Sequence, residues 1–167
     1  MKFGKSLLCL LTMALLGGCD KEPEPIPVPP APPEPSGPVD LTEFTFSHRG
    51  MAANDCFTFT VTETPEGTRL YLEQDFSGGI ILDESADPSL MVQMEELAQQ
   101  YNLISWDGFA ETNSMISDGT GFSLHMTLAD GSTISARGTN AFPAEYGSVS
   151  RTIHTLYLDH LPEEDYQ

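Results

Sequence analysis

The sequence predicts an α+β protein, an antiparallel sheet built from two hairpins plus an N-terminal strand, with one face covered by two helices. Three observations support this fold class. Apolar and polar side chains alternate along several short segments, turn residues separate these segments, and two longer stretches repeat apolar residues every three or four positions. Strands that alternate in this way give a sheet one apolar face, and helices on that face complete a core.

The first two strands follow from alternation alone. Phe44 and Phe46 alternate with polar residues over 42–48. Three apolar residues alternate with threonines over 56–63. Both segments are rich in the aromatic and β-branched residues that favour strands.

The first hairpin joins the second strand to a third strand around Leu70 and Leu72. Its turn is Thr64-Pro65-Glu66-Gly67, because proline presets the second turn position and glycine accepts positive φ. A four-residue loop brings the apolar side chains to one face, through the pairs Glu63–Thr68, Val61–Leu70 and Phe59–Leu72. The glycines at 78–79, followed by the apolar run 80–82, indicate a bulged continuation of the sheet.

The first helix is predicted to begin at Asp87-Pro88, with aspartate as the cap and proline in the first helical position. Asn102 is expected to cap its C-terminus. The apolar residues between them lie on one stripe, which consists of Leu90, Met94, Leu97 and Tyr101.

The second hairpin is predicted from alternation over 122–128 and 133–137. A two-residue turn at Asp130-Gly131 would bury the wrong faces. A three-residue loop, Ala129-Asp130-Gly131, pairs Met126 with Ile134 and Leu124 with Ala136 instead. It also places Gly131 in the left-handed position that such hairpins need.

The second helix is expected to start near Pro143 and to end before Pro162, since proline cannot continue a helix. The acidic tail over 163–167 is expected to fray. The helix carries one apolar stripe, formed by Tyr146, Val149, Ile153, Leu156 and Tyr157. Residues 40–167 therefore form the predicted single α+β domain, which is long enough for a core without disulfides.

The N-terminus has the pattern of a secretion signal. Lys2 and Lys5 precede an apolar stretch over 7–16 that is short for a membrane span. The following Leu16-Gly17-Gly18-Cys19 resembles the lipobox of bacterial lipoproteins, whose cysteine is lipidated before cleavage. This resemblance implies a signal peptide over 1–18, lipidation of Cys19 and anchoring on the extracytoplasmic side of the cell membrane. An uncleaved membrane helix and an ordinary secretory signal are the alternatives.

Residues 19–39 are predicted to be a lipid-anchored, Pro-rich, acidic spacer. Nine of the thirteen prolines of the chain lie within 20–39. Proline fixes φ and removes the amide donor, so this segment favours an extended polyproline conformation. At full extension it reaches about 60 Å.

Charge and cysteine usage restrict the function. Residues 40–167 carry 21 acidic and 4 basic side chains, a formal charge of −17. This charge argues against a nucleic-acid partner and favours cations or a basic partner, although a merely solubilising acidic surface gives the same composition. Cys9 leaves with the signal peptide and Cys19 carries lipid, so Cys56 has no disulfide partner.

The domain also carries motifs that are similar to those of uncharacterised secreted and lipid-anchored domains of anaerobic Gram-positive bacteria. The resemblance covers about 90–161 and implies no chemistry. Its motifs are Trp106-Asp107-Gly108-Phe109, Asp118-Gly119 ahead of Phe122-Ser123-Leu124, Asp130-Gly131 with Ile134, and Gly138-Thr139-Asn140-Ala141-Phe142-Pro143.

No catalytic constellation is recognisable in the sequence. The four histidines form no zinc-binding spacing, and the chain has neither a hydrolase nucleophile elbow nor a phosphate-binding glycine loop. We therefore predict no catalytic residue, no metal and no cofactor.

The candidate ligand or partner surface consists of Trp106, Phe109, His125 and Arg137. His125 and Arg137 stand among hydroxyl side chains on the polar face of the second hairpin, where they are able to hold a carboxylate or a sugar. Trp106 and Phe109 are candidates for a sugar platform or a partner's anchor. Ordinary solvated strand residues and aromatics that close the edge of the core explain the same pattern.

Two functions follow as hypotheses. The first is a non-catalytic binding or assembly module of the cell envelope, tethered by lipid and recognising an envelope protein. The second is an anchored small-ligand receptor or hydrolase, which requires a concave pocket where His125, Arg137 and Trp106 converge.

Overall fold

The computed structural model describes residues 38–52, 55–74, 79–116 and 119–161. The predicted signal peptide, Cys19 and most of the spacer lie outside these ranges, as do Gly78, Asp118 and the residues from Pro162 onward. None of the helices in the described ranges is long and apolar enough to cross a bilayer.

Seven strands within the described residues form one sheet in the order β4-β3-β2-β1-β6-β7-β5. Their bounds are β1 (Leu41–Arg49), β2 (Cys56–Thr64), β3 (Gly67–Gln74), β4 (Gly79–Ser85), β5 (Ala110–Thr112), β6 (Gly121–Leu128) and β7 (Thr133–Thr139). The helices are α1 (Ser89–Gln100) and α2 (Tyr146–Asp159), and a 3₁₀ turn (Leu103–Trp106) follows α1. The α+β fold class is thereby confirmed.

The prediction of a purely antiparallel sheet is wrong, because β5 runs parallel to β7. Gly108 N–H donates to Ser135 O and Arg137 N–H donates to Phe109 O, both at 2.9 Å. All three residues of β5 are exposed. A strand this short and exposed has no alternating pattern, so its pairing depends on the 3₁₀ turn that delivers the chain to the edge of β7.

The sheet of the described residues has seven strands, whereas the predicted two hairpins and N-terminal strand provide five. The apolar run after Gly79 belongs to a separate strand, β4, which pairs antiparallel with β3 and adds a further edge. The expected bulge is present as a register shift between Leu72 and Glu73 of β3. The N-terminal strand β1 lies in the middle of the sheet, between β2 and β6.

Both predicted hairpins have the expected register. β2 and β3 pair Val61 with Leu70 and Phe59 with Leu72. β6 and β7 pair Met126 with Ile134, and Gly131 has a φ of 83° in the three-residue loop. Turn chemistry and alternation therefore identify these local pairings correctly.

The helices begin and end close to the predicted residues. Asp87 Oδ1 accepts a hydrogen bond from Ser89 N–H at 2.8 Å, and this bond keeps the pKa of Asp87 below its usual value. Asn102 takes the left-handed conformation just after α1, with φ 49°. Helix α2 starts at Tyr146 and not near Pro143, because Glu145 has a left-handed φ of 64° that no α-helix can include.

The two faces of the sheet differ in the polarity of their side chains and in whether helices cover them. The covered face carries the buried apolar residues and packs against both helices. Glu95 of α1 accepts a hydrogen bond from Leu41 N–H, and the ring centroid of Tyr157 of α2 lies 4.9 Å from that of Phe57, with the rings tilted. Val39, which was assigned to the spacer, is also buried in this core. Among the largest fully buried side chains of the covered face are Phe44, Phe46, Phe59, Leu70, Leu72, Leu124 and Met126.

Candidate functional site

The open face of the sheet, opposite the helices, is lined by short hydroxyl side chains. Ser47 Oγ lies 2.8 Å from Thr58 Oγ1, and Thr45 Oγ1 lies 3.1 Å from Thr60 Oγ1. These side chains alternate with the buried phenylalanines of β1 and β2, so the polar face follows directly from the strand period of two. Cross-strand hydroxyl pairs also stabilise the sheet.

One row of open-face residues crosses six strands. The strand registers pair Ser47 with Thr58 on β2 and with Ser123 on β6. They pair Arg137 of β7 with Ser123 and with Ala110 of β5. The complete row, from β3 to β5, is Glu73, Thr58, Ser47, Ser123, Arg137 and Ala110.

A second row lies next to the first, toward the C-terminal end of β1. Arg49 pairs with Gly121, Gly121 with Thr139, and Thr139 with Thr112. Gly121 contributes no side chain to this row. The sheet therefore has a depression between Arg49 and Thr139.

These two rows enclose a groove of about 740 Å³. Its floor is formed by small residues, with charged side chains around it. Glu111 and Phe122 also border the groove, but strand alternation assigns their side chains to the other face. Among the described residues, the charged side chains of the open face that line the groove are therefore Arg49, Arg137 and Glu73.

The electrostatics of the groove differ from those of the rest of the domain. Two of the four arginines within 40–167 line it, in a domain with a formal charge of −17. Glu73 accepts a hydrogen bond from the hydroxyl of Tyr71, whose pKa is raised, chiefly by loss of hydration and also by the Glu73 carboxylate. On the open face, the described lining thus combines two guanidinium groups with one carboxylate.

A smaller hollow of about 400 Å³ adjoins the groove. Both are lined by Ala110, Ser123 and Arg137. Phe109 lines the smaller hollow but not the groove. Arg137 therefore lines both hollows, and the smaller one is also lined by Leu124 and Ala136, which belong to the covered face.

The structure separates the four residues of the predicted surface. Arg137 lines both hollows, and Phe109 borders the second. His125 lies one row away on the open face, where its Nδ1 is 3.1 Å from Ser135 Oγ, and it lines neither hollow. Trp106 is buried beneath the covered face, in edge-on contact with Phe122 at 5.9 Å. A pocket where His125, Arg137 and Trp106 converge is thus not formed.

Sequence reasoning missed Arg49, Glu73 and Gly121. Alternation within β1 assigns Arg49 to the polar face together with Ser47, so the face of Arg49 is predictable from the sequence. Which strands lie beside β1 is not predictable, because the pairing of β1 with β6 joins residues about 75 positions apart. Nothing local in the sequence indicates that Arg49, Gly121 and Arg137 share one end of the sheet.

A second polar cluster lies under the covered face. His48 Nδ1 is 2.7 Å from the Tyr146 hydroxyl, and His48 Nε2 is 3.6 Å from Asp55 Oδ1. Ser150 bonds the same tyrosine hydroxyl. Aromatic rings surround the imidazole, with Phe57 stacked at a centroid distance of 5.7 Å.

Burial determines the protonation of this cluster. Loss of hydration is the largest cause that lowers the pKa of His48, and nearby His154 acts in the same direction, while Asp55 opposes both. Burial also raises the pKa of Tyr146 to about 12. A neutral imidazole accepting from a neutral phenol satisfies both groups, so the cluster is a hydrogen-bonded part of the core.

Cys56 is buried and directs its sulfur toward the carbonyl oxygens of Gly50 and Ala52, both at 3.5 Å. Such a thiol behaves as a small core residue. Within the described residues, no group of three or more histidine, cysteine, aspartate or glutamate side chains is arranged to hold a metal ion. Cys19 lies outside the described residues.

Comparison with protein-family models and with curated proteins finds no match to this chain.

Proposed function

We propose that this chain is a lipid-anchored, extracytoplasmic lipoprotein of the cell envelope whose domain binds a small polar ligand without transforming it. The observation that carries the proposal is the groove on the open face of the sheet, with Arg49 and Arg137 at its sides and Gly121 in its floor. Concave sites of roughly 300–1,000 Å³ with a few convergent polar groups are typical of ligand binding.

The lining favours binding over catalysis. Hydrolysis by a side-chain nucleophile requires a base within hydrogen-bond reach of that nucleophile. Ser47 is bonded to Thr58, and His125 is directed to Ser135 one row away. Within the described part of the chain, the groove thus contains groups that orient a ligand and lacks a paired nucleophile and base.

The anchor rests on the sequence Leu16-Gly17-Gly18-Cys19. Lipidation of Cys19 with two or more acyl chains would hold the protein stably at a membrane. The proline-rich segment that follows gives the domain a reach of about 60 Å at full extension.

A protein of the envelope remains the alternative occupant of the open face.

Two experiments test the two halves of this proposal. Cys19→Ser should abolish incorporation of labelled fatty acid and move the chain from the membrane to the soluble fraction, while Cys56→Ser should leave both unchanged. If Cys19→Ser still incorporates label, the anchor is wrong.

The groove is tested with a filling variant. In Gly121→Val the new Cβ has ordinary contacts, with Gly138 O nearest at 3.5 Å, so we expect the fold to persist. The small-molecule fraction of the envelope should give saturation-transfer NMR signals with the parent full-length chain and none with Gly121→Val. Thr133→Val, on the same face outside the groove, is the matched control. Signals that survive in Gly121→Val would refute a groove ligand.

A further inference from the structure

We infer that the ligand of the groove is a neutral oligosaccharide that lies across the strands, with Tyr71 and Glu73 at one end and Arg137 at the other. This inference rests on the proposed function and specifies its ligand. Three features support it: the length of the open-face row that contains Glu73 and Arg137, the hydroxyl groups along that row, and the aromatic ring beside its β3 end.

The row is long enough for several sugar units. Glu73 of β3 and Arg137 of β7 both line the groove, and β2, β1 and β6 lie between them. Neighbouring strands are about 4.8 Å apart, so the Cα atoms of these two residues are separated by about 19 Å. Strand side chains stand roughly perpendicular to the sheet. A single sugar ring is therefore too short to contact both side chains, whereas an oligosaccharide that crosses the strands reaches both.

The residues between these ends match the hydroxyl groups of a sugar chain. Thr58, Ser47 and Ser123 each place one hydroxyl on one of the three intervening strands. A hydroxyl has one donor and two acceptor positions, so the bonded pair Ser47–Thr58 keeps positions for further partners. A sugar chain also carries hydroxyls at intervals along its length. The floor of the groove therefore offers successive hydrogen bonds to such a chain.

The two ends of the row carry planar side chains. Tyr71 is two residues from Glu73 on β3, so its partly exposed ring lies on the same open face. Its hydroxyl donates to the Glu73 carboxylate, and this bond holds the ring beside the groove. An aromatic ring packs against the apolar C–H face of a sugar, and a carboxylate accepts from sugar hydroxyls. At the other end, the guanidinium of Arg137 provides several N–H donors in one plane.

The acidity of the domain favours an uncharged chain. Residues 40–167 have a formal charge of −17, and both Glu73 and Glu111 line the groove. An acidic polysaccharide would be repelled by the field of the whole domain. A neutral oligosaccharide avoids this repulsion, because its affinity comes from hydrogen bonds and from packing against the ring.

The test measures the binding of matched sugars to the full-length chain in detergent. Saturation-transfer NMR compares neutral tetrasaccharides with their monosaccharides and with the acidic tetragalacturonate. The neutral probes are cellotetraose, maltotetraose, mannotetraose and the tetramer of N-acetylglucosamine. At least one of them should have a dissociation constant at least about tenfold lower than its monosaccharide. Tetragalacturonate should bind more weakly than that tetrasaccharide.

Variants at the two ends of the row test the placement of the sugar chain. Tyr71→Ala and Arg137→Ala should each weaken binding of that tetrasaccharide by about tenfold. Tyr71→Phe should weaken it by less, because phenylalanine keeps the ring. Arg69→Ala is the matched control and should leave binding unchanged, because Arg69 lies on the same face, paired with Asp83, outside the groove.

The outcomes separate the ligand from the site. Tighter binding of tetragalacturonate, or equal binding of tetrasaccharides and monosaccharides, would overturn the neutral oligosaccharide. Unchanged binding in Tyr71→Ala or in Arg137→Ala would overturn its placement across the strands. If no neutral tetrasaccharide binds, the inference is wrong, but the proposed function stands as long as Gly121→Val removes the signals of the envelope fraction. If those signals also survive in Gly121→Val, the proposed function is overturned as well.

Discussion

The covered and open faces of the sheet are built by the same strands, from residues one position apart. Phe46 on the covered face is fully buried and lies 6.3 Å from the ring of Phe57. Its neighbour Ser47 faces the groove and bonds Thr58. The covered face therefore contains the buried apolar side chains of the core, and the open face carries polar side chains that are only partly buried.

The polar groups of the two faces also behave differently. On the covered face, His48 and Tyr146 bond one another among aromatic rings, and their other polar partners, Asp55 and Ser150, are also side chains of the protein. On the open face, His125 and Ser135 are in contact with water as well as with each other. A lost partner is replaced by water only on the open face, which is why the following predictions set the two faces against each other.

The largest contrast is expected between adjacent residues of β1. Phe46→Ala should lower the free energy of unfolding by about 3–5 kcal/mol, because it leaves a cavity in the core. Ser47→Ala should lower it by less than about 1 kcal/mol, since Thr58 then bonds water. Urea denaturation of the full-length chain measures both. Equal losses would show that the open face is part of the folding core.

Alanine substitutions at two glycines on paired strands should change the free energy of unfolding in opposite directions. A Cβ on Gly138 would overlap the Ala141 carbonyl oxygen and lie 2.7 Å from Phe122 Cε1, so Gly138→Ala should cost about 1–3 kcal/mol. Gly121→Ala meets only ordinary contacts and should stabilise the strand by about 0.5–1 kcal/mol. Thermal unfolding compares the variants, and a stabilising Gly138→Ala would contradict the packing described for β7.

Removing one hydroxyl from each face gives a smaller contrast. Tyr146→Phe leaves His48 Nδ1 without its partner and should cost about 1–2 kcal/mol. Tyr71→Phe removes a hydroxyl that water replaces, and should change stability by no more than about 0.5 kcal/mol. Urea midpoints measured at pH 8 separate the two. Comparable costs would mean that the His48–Tyr146 bond contributes no more than a surface contact.

Acid should destabilise the covered face through His48. Its folded-state pKa lies below the unfolded value of about 6.5, so between these values the unfolded chain binds more protons than the folded one. The free energy of unfolding is therefore highest above pH 6.5 and falls as the pH drops through that window. His48→Gln should flatten this part of the curve of stability against pH. An unchanged slope in the variant would assign the acid sensitivity to another group.

The smallest effect is expected at the groove. Arg137→Ala and Arg69→Ala should each change the free energy of unfolding by no more than about 0.5 kcal/mol, since exposed charges contribute little to folding. Their thermal midpoints should match that of the parent chain. A large loss of stability in Arg137→Ala alone would show that this arginine supports the sheet.

Local chemistry was enough for the elements with nearby partners. The Asp130-Gly131 loop and the Pro65-Glu66 turn were read correctly, because alternation and turn geometry act within about ten residues. Asp87 and Asn102 likewise mark the ends of α1 through their own backbone contacts. The start of α2 was misplaced by three residues, since the left-handed Glu145 has no strong sequence signal.

The same reasoning failed where the partners of a strand or side chain lie far apart in the sequence. The parallel strand β5 was missed, the segment of β4 was predicted only as a bulged continuation of the sheet, and of the four residues predicted for the surface only Arg137 lines the groove. The hypothesis of an anchored receptor or hydrolase requires Trp106 to converge with His125 and Arg137, yet Trp106 is buried under the covered face and His125 lies on the open face. The burial of Trp106 depends on contacts with Phe122 and Tyr146, which come from later parts of the chain.

From its residues alone, this chain specifies which side chains of β1 and of the two hairpins are buried, where the hairpins turn and where the first helix is capped. These properties depend on neighbours along the chain, whose geometry the backbone period imposes. The groove came from folding in three dimensions: the order of strands across the sheet brought Arg49, Gly121 and Arg137 together from three separate strands. Strand order results from how the core packs as a whole, which no local pattern encodes.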